Sequence, residues 1–314
     1  MNNKDAISFW NPVPIIDNNY SNNENDHIQG NVYLQFKPIP DLTLRTNYGI
    51  DYLNIDNRAF STPIIGDGFP NGSTFALLNK MKRWVWTTTA QYDHTFFDKH
   101  AVSLLVGTEQ QRSTTESYGI NRTQLSDPFV SNIQGGWQAQ TATGMGIGEN
   151  YLWSGFSRLN YEFDKKYFLS GSFRRDGYSA FADGLEYGNF YSFAAGWDIA
   201  QEKFFANSPL GKVVNSLKLR GSYGTAGNIS GIDNFGSYSF YGAGTYNGTA
   251  TLNFTQAGNP NLTWETSKRP TLDLLSSYST TRSAAYSPII KTTSTVSSCG
   301  FHRPPPQVCP TTPS

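Results

Sequence analysis

The sequence predicts an all-β chain: a partial antiparallel up-and-down transmembrane β-barrel, an open sheet of about eight or nine long strands with long loops gathered on one rim. Three observations carry this. Apolar and polar residues alternate with period two over stretches of about eleven residues, near the 9–11 that a membrane-spanning strand needs and beyond the five or six usual in soluble sheets. The connections between those stretches alternate short and long. Composition agrees: of 314 residues 15% are aromatic, only 15% are charged and 29 are glycine, and mean hydropathy is negative. That balance is expected where greasy positions are diluted by alternation.

The first strand is read over 28–37, with Ile28, Gly30, Val32, Leu34 and Phe36 on one face and Gln29, Asn31, Tyr33, Gln35 and Lys37 on the other. A Pro-containing turn (38–41) leads into 42–52, where Leu42, Leu44, Thr46, Tyr48, Ile50 and Tyr52 oppose Thr43, Arg45, Asn47, Gly49 and Asp51. Residues 83–96 pass through Phe97-Asp98-Lys99 into 100–110. Residues 151–163 pass through Asp164-Lys165-Lys166 into 167–177. Strands over 189–199 and 216–224 follow, and the joint between them (200–215) contains Glu202-Lys203-Phe204-Phe205, which suggests a short helical turn. The stretches 56–82, 111–150, 178–188 and 225–261 are expected as long loops, which a compact soluble domain would not carry but a barrel rim does. Trp84 and Trp86 fall near one strand end and Tyr92, Phe96 and Phe97 near the other, while Tyr161, Phe163, Tyr167 and Phe168 flank a short turn. These are the levels of the two membrane interfaces.

Several function classes are excluded. With 24 basic against 24 acidic residues there is no excess of positive charge to displace counterions from a nucleic acid. Two cysteines make no disulfide scaffold. His27, His94, His100 and His302 are scattered without ligand spacing, so no metal or cofactor site is expected. Gly144-Met145-Gly146-Ile147-Gly148 precedes a strand, not the helix a phosphate cradle needs. No catalytic constellation emerges, and a non-enzymatic role is expected. Arg174 shares the polar face with Ser170 and Ser172, so Arg174 and Asp176 are read as a lumen-facing ion pair that fixes a loop. Trp137, Tyr238, Tyr241 and Tyr246 are candidate ligand contacts, since aromatic rings pack on sugar C–H faces. Packing of the loops on one another is the competing and stronger reading of those four.

The stretch YFLSGSFRRDGYSAFADGLEYGNFYSFAAGWDIA (167–200) is followed by NSLKLRGSYGTAGN (215–228) and GNPNLTWETSK (258–268). In this order they resemble the SusC/RagA-like TonB-linked outer-membrane receptors of Bacteroidota, over roughly residues 27–268. The departures are Phe190-Tyr191-Ser192 in place of the family's Phe-Pro-Ser, and Tyr178 to Ala182, which keeps only Ser179 and Phe181 of its pattern. The resemblance implies a piece of a much longer outer-membrane transporter that takes up oligosaccharides or peptides. It implies outer-membrane lipid around the barrel, a SusD-like surface lipoprotein as lid, and TonB as energy source, with the TonB-contacting part outside this chain. The opening MNNKDAISFWNPVP has neither the basic nor the apolar region of a signal peptide. The second reading is a soluble β-rich carbohydrate-binding module; a membrane-embedded lipase barrel ranks third.

Three regions are expected: a loop or entry segment (1–26), the partial barrel (27–268), and a tail (269–314) outside the family pattern. The tail holds 17 Ser/Thr, 7 of the 16 prolines and both cysteines, Cys299 and Cys309. It reads as frameshifted. Codons can be chosen for Arg269–Leu274 and for Ser279–Lys291 that, in one common shifted frame, restore peptides resembling the family's next strands.

Overall fold

The computed structural model describes residues 10–212 and 214–278. A short helix, α1 (Pro12–Asn18), opens it. The Asn11 side chain accepts a hydrogen bond from the Val13 N–H at 3.1 Å, and proline occupies the first turn, where its missing N–H costs nothing. Eleven strands follow: β1 (Tyr20–Ile39), β2 (Leu42–Ser61), β3 (Ser73–Phe96), β4 (His100–Leu125), β5 (Trp137–Phe163), β6 (Tyr167–Tyr178), β7 (Tyr187–Asp198), β8 (Val214–Asn228), β9 (Phe240–Tyr246), β10 (Thr249–Gln256) and β11 (Glu265–Tyr278). A one-turn helix, α2 (Lys203–Ala206), lies between β7 and β8. Nine strands form one antiparallel sheet in the order β1-β2-β3-β4-β5-β6-β7-β8-β11, and β9 and β10 form a separate hairpin. The sheet is open: among the described residues the outer edges of β1 and β11 have no partner strand.

Register carries the alternation across every strand. Val32 faces Tyr48 and Phe36 faces Leu44; Ile50 faces Trp84; Tyr92 faces Leu104; Leu104 faces Leu159. The row continues through Gly171, Phe193 and Tyr223, and Leu274 sits opposite Leu219. A slip of one residue anywhere would turn a strand's apolar set to the wrong side. The apolar face is bare: Leu34 is 72% and Phe193 62% exposed. Along β3 the apolar face runs from Tyr92 to Trp84, eight steps of about 3.3 Å, or about 26 Å, against the roughly 25 Å band of outer-membrane barrels.

The strands do not stop at that band. Residues 73–83 of β3 reach about 35 Å further, and the segments expected as loops at 56–82 and 111–150 are mostly strand, leaving connections of 62–72 and 126–136. Above the band both faces meet water, so the period-two contrast fades while the ladder pairing persists. Strand also crosses two of the expected region boundaries. β1 begins at Tyr20, inside the expected entry segment, and β11 pairs with β8 as far as Tyr278, ten residues into the expected tail. Pro270 is tolerated because β11 is an edge strand. The rest of the tail, 279–314, lies outside the described residues.

The short turns are as expected. Phe97-Asp98 and Asp164-Lys165 both carry positive φ, between 49° and 57°, the left-handed pair that returns a twisted hairpin on itself. The buried core sits at the opposite rim, where Tyr178, Ala180 and Phe181 pack with Leu152, Ile229, Ile232, Leu262 and Trp264.

Candidate functional site

The polar face is concave. Asp41, in the β1–β2 turn, and Asp273, on β11, line the same cavity of about 760 Å³ with Asp93, Asn160, Glu162 and Arg220. On a flat sheet, strands seven intervals apart would be about 34 Å from each other, so the sheet curls toward its polar side. The cavity lies at the short-turn end, a location that no sequence motif announces. Its lining includes polar-face positions of seven strands, which only the register brings together.

Midway up this face Arg174 sits at the centre of a polar network. Its Nε donates to Asp176 Oδ1 at 2.6 Å and its Nη2 donates to Ser154 Oγ at 2.7 Å. Nη2 also lies 3.7 Å from Glu109 Oε1, and Thr87 Oγ1 donates to Glu109 Oε2 at 3.1 Å. The guanidinium rests 5.6 Å from the Phe156 ring centroid. Asp176 is 8% exposed and Ser154 is fully buried, so this charge pair is held by β3, β4, β5 and β6 together. Glu109, Ser154 and Thr87 are partners that sequence reasoning misses. The signal available was their shared parity: all fall on the polar face once the register is known.

The rim core explains why the motif segments travel together. The Trp264 indole N–H donates to the Glu186 carbonyl at 2.8 Å, the Ala182 N–H to the Leu262 carbonyl at 3.0 Å, and Thr263 Oγ1 to the Leu185 carbonyl at 3.1 Å. The Trp264 ring lies 5.1 Å from Phe181 and 5.3 Å from Phe190, centroid to centroid. Gly188 and Gly227 leave room for these rings: a Cβ on Gly227 would come 2.3 Å from Phe190 and 2.7 Å from Trp264, and one on Gly188 2.7 Å and 2.8 Å from the same pair.

The aromatic candidates separate. Trp137 is 8% exposed, its N–H donates to the Asn132 carbonyl at 3.0 Å and its ring meets Phe60 edge-on; it packs the rim and offers no face to a ligand. Tyr238, Tyr241 and Tyr246 are 51%, 64% and 80% exposed. Tyr241 and Tyr246 lie not in a loop but on β9, in the hairpin whose turn is Asn247-Gly248, both with positive φ. Of the histidines, His27 bonds Asp51 at 2.8 Å, His94 bonds Asp41 at 2.7 Å, and His100 bonds the Tyr161 hydroxyl at 2.8 Å; His302 lies outside the described residues. No group of three metal-ligating side chains occurs among the described residues.

A curved sheet with a bare apolar outer face about 26 Å tall, a polar concave face and tight turns at one rim is the wall of an outer-membrane β-barrel. Comparison with known proteins gives its family. The chain matches the TonB dependent receptor-like β-barrel family over residues 2–269 and belongs to it. TonB-dependent receptor P39 of Formosa agariphila is 32% identical over 238 residues, 74% of this chain and 22% of that protein. TonB-dependent receptor SusC of Bacteroides thetaiotaomicron is 28% identical over 258 residues, 77% of this chain and 24% of that protein. Among solved structures, the RagAB peptide transporter superposes with a TM-score of 0.77 at 26% identity, over 86% of this chain and 30% of that one. The chain thus spans about a quarter of the length of these curated relatives, both of them TonB-dependent receptors.

Proposed function

We propose that this chain is part of the barrel wall of an outer-membrane transporter that takes up oligosaccharides or peptides, and that it does not transport alone. The observation that carries the reading is the two-faced wall: apolar side chains in register on one side, a charged and hydrogen-bonded concave surface on the other. The likeness to the RagAB peptide transporter supports peptides as one such substrate. In the complete receptor TonB supplies energy and a SusD-like surface lipoprotein covers the long-loop rim. Tyr238, Tyr241 and Tyr246 are the side chains that would meet a glycan or peptide there; Arg174 and Asp176 act structurally. The barrel region, which takes in residues 27–268, begins with β1 and runs through β11, and the end of the chain is read out of frame. The nucleotide sequence tests that last point, which fails if its codons cannot yield the restored peptides.

Uptake of labelled oligosaccharides and peptides by cells with and without the receptor carrying this segment tests the transport reading. Loss of uptake on deletion supports it. A purified chain that stays monodisperse without detergent and binds glycan would replace it with the soluble-module reading.

A further inference from the structure

One connection on the short-turn rim differs from the others. Where β3–β4 and β5–β6 turn in three residues, β7 and β8 are joined by residues 199–213, which hold α2 flanked by two single turns of 3-10 helix. Two large apolar side chains on this connection, Phe204 and Leu210, are each 63% exposed. The position of Phe204 follows from the apolar face itself. The Phe204 ring lies 6.4 Å from Trp197; Trp197 stacks on Tyr167 at 6.4 Å with the planes 8° apart, and Tyr167 stacks on Phe163 at 6.2 Å. Register places Phe163, Tyr167 and Trp197 in one row across the lower end of the apolar face. Phe204 therefore continues a row of rings at the interface level.

A polar clasp ties this corner to the same rings. Glu202, the residue preceding α2, accepts hydrogen bonds from the Tyr167 hydroxyl at 2.5 Å and from the Trp197 indole N–H at 3.3 Å, and Lys166 Nζ stands 3.7 Å away. This clasp fixes the start of the connection against the row of rings, beside Phe204. Another hairpin tip on the same rim, that of β3–β4, presents Phe97, 90% exposed.

We infer that the β7–β8 connection is a membrane-surface anchor: Phe204 and Leu210 enter the headgroup–acyl boundary of the phospholipid leaflet on the short-turn side, and Glu202 holds them there through Tyr167 and Trp197. Amphipathic segments bind such boundaries when an apolar side meets acyl chains and charged groups stay in water, and Lys203, exposed beside Phe204, is placed to meet headgroup phosphates. The occupant is lipid because the surface is continuous with the lipid-facing band. The inference rests on the transporter reading above.

Single nitroxide labels test it, in the receptor carrying this segment, reconstituted in phosphatidylethanolamine–phosphatidylglycerol vesicles, with Cys299 and Cys309 replaced by serine. Labels go at Phe204→Cys, Leu210→Cys, Phe193→Cys in mid-band and Ser230→Cys on the long-loop rim, and relaxation by oxygen is compared with relaxation by a water-soluble nickel chelate. The expected result is an oxygen-to-nickel ratio highest at 193, severalfold above the value at 230 for both 204 and 210, and lower there than at 193. A lipid-like 193 with water-like 204 and 210, or with 204 and 210 shielded from both reagents as under a protein partner, overturns the anchor and leaves the barrel standing. A water-like 193 overturns the barrel reading and the anchor with it.

Discussion

Gly227→Ala tests whether the rim core is held by the space two glycines leave. The added methyl would lie 2.3 Å from Phe190 Cζ and 2.7 Å from Trp264 Cε3, both far inside van der Waals contact, and both rings are pinned. Phe190 is 6% exposed, and the Trp264 N–H is committed to the Glu186 carbonyl. Inserting a methyl group into such packing costs about 1–3 kcal/mol. Gly227 does not lie in the left-handed region, so no backbone term is added. The loss should be local, because the rings clamp the 178–186 segment to Leu262 and Trp264 and touch nothing in the membrane band. Hydrogen exchange in the receptor carrying this segment reads it at the Tyr178 and Ala182 amides, which bond the Glu186 and Leu262 carbonyls. A cost of about 2 kcal/mol speeds their exchange ~30-fold, with band amides such as Leu104 unchanged. Combining Gly227→Ala with Phe190→Leu removes the nearer ring atom, so the pair should cost less than the sum of the two single changes, as expected of residues in contact. Unchanged exchange in Gly227→Ala, or strict additivity in the double variant, would refute the reasoning.

Other consequences are simpler to state. Leu159→Arg places a charge in mid-band and should cost about 2–4 kcal/mol in urea unfolding from vesicles; Asn160→Arg, one residue on and facing the polar side, should cost under ~1 kcal/mol. Arg174→Ala leaves the buried Asp176 without its partner and should cost about 1–3 kcal/mol, less than a fully buried pair because Arg174 is partly solvated; Arg174→Met with Asp176→Asn should recover part of that loss. The hydrogen bond from Tyr167 is the main cause that lowers the Glu202 pKa, with the Trp197 N–H and the Lys166 charge adding to it. Its clasp is therefore fully formed above the ordinary carboxylate value and is lost as pH falls through the lowered one; acid should loosen residues 199–206 in wild type, by proteolysis or exchange, and Glu202→Gln should abolish that pH dependence. The chain expressed by itself should aggregate, because among the described residues β1 and β11 leave two unpaired edges; monodisperse insertion into liposomes would contradict this.

How much of this was legible depended on what each side chain faces. In the band, one side meets lipid and the other water, so Ile28 to Phe36 and Leu42 to Tyr52 announce themselves by alternation, and the turns at 97–99 and 164–166 follow. Above the band the contrast is gone: Gln111-Arg112-Ser113-Thr114-Thr115 of β4 is polar on both faces, and only its pairing with β3 and β5 makes it a strand. β9 and β10 did carry a signal, since Asn247-Gly248 between Tyr241-Ala243-Thr245 and Ala250-Leu252-Phe254 is the pattern of a tight hairpin. The glycines at 242 and 244 obscure it. Arg174 was legible as a polar-face residue because a single strand fixes parity. Glu109 and Ser154 were not, because their nearness to Arg174 is a property of three strands in register.

The band has no packed interior, with lipid on one side and the concave polar surface on the other. Most positions there are selected only for polarity and for their tolerance of an extended backbone, not for fit to a particular neighbour. Substitutions that preserve the alternation are close to neutral, so the sequence can drift far while the backbone stays put. That is how a 26% identity coexists with a TM-score of 0.77. It also means that jigsaw constraint concentrates at the rim, where Gly188, Gly227, Phe190 and Trp264 must change together or not at all.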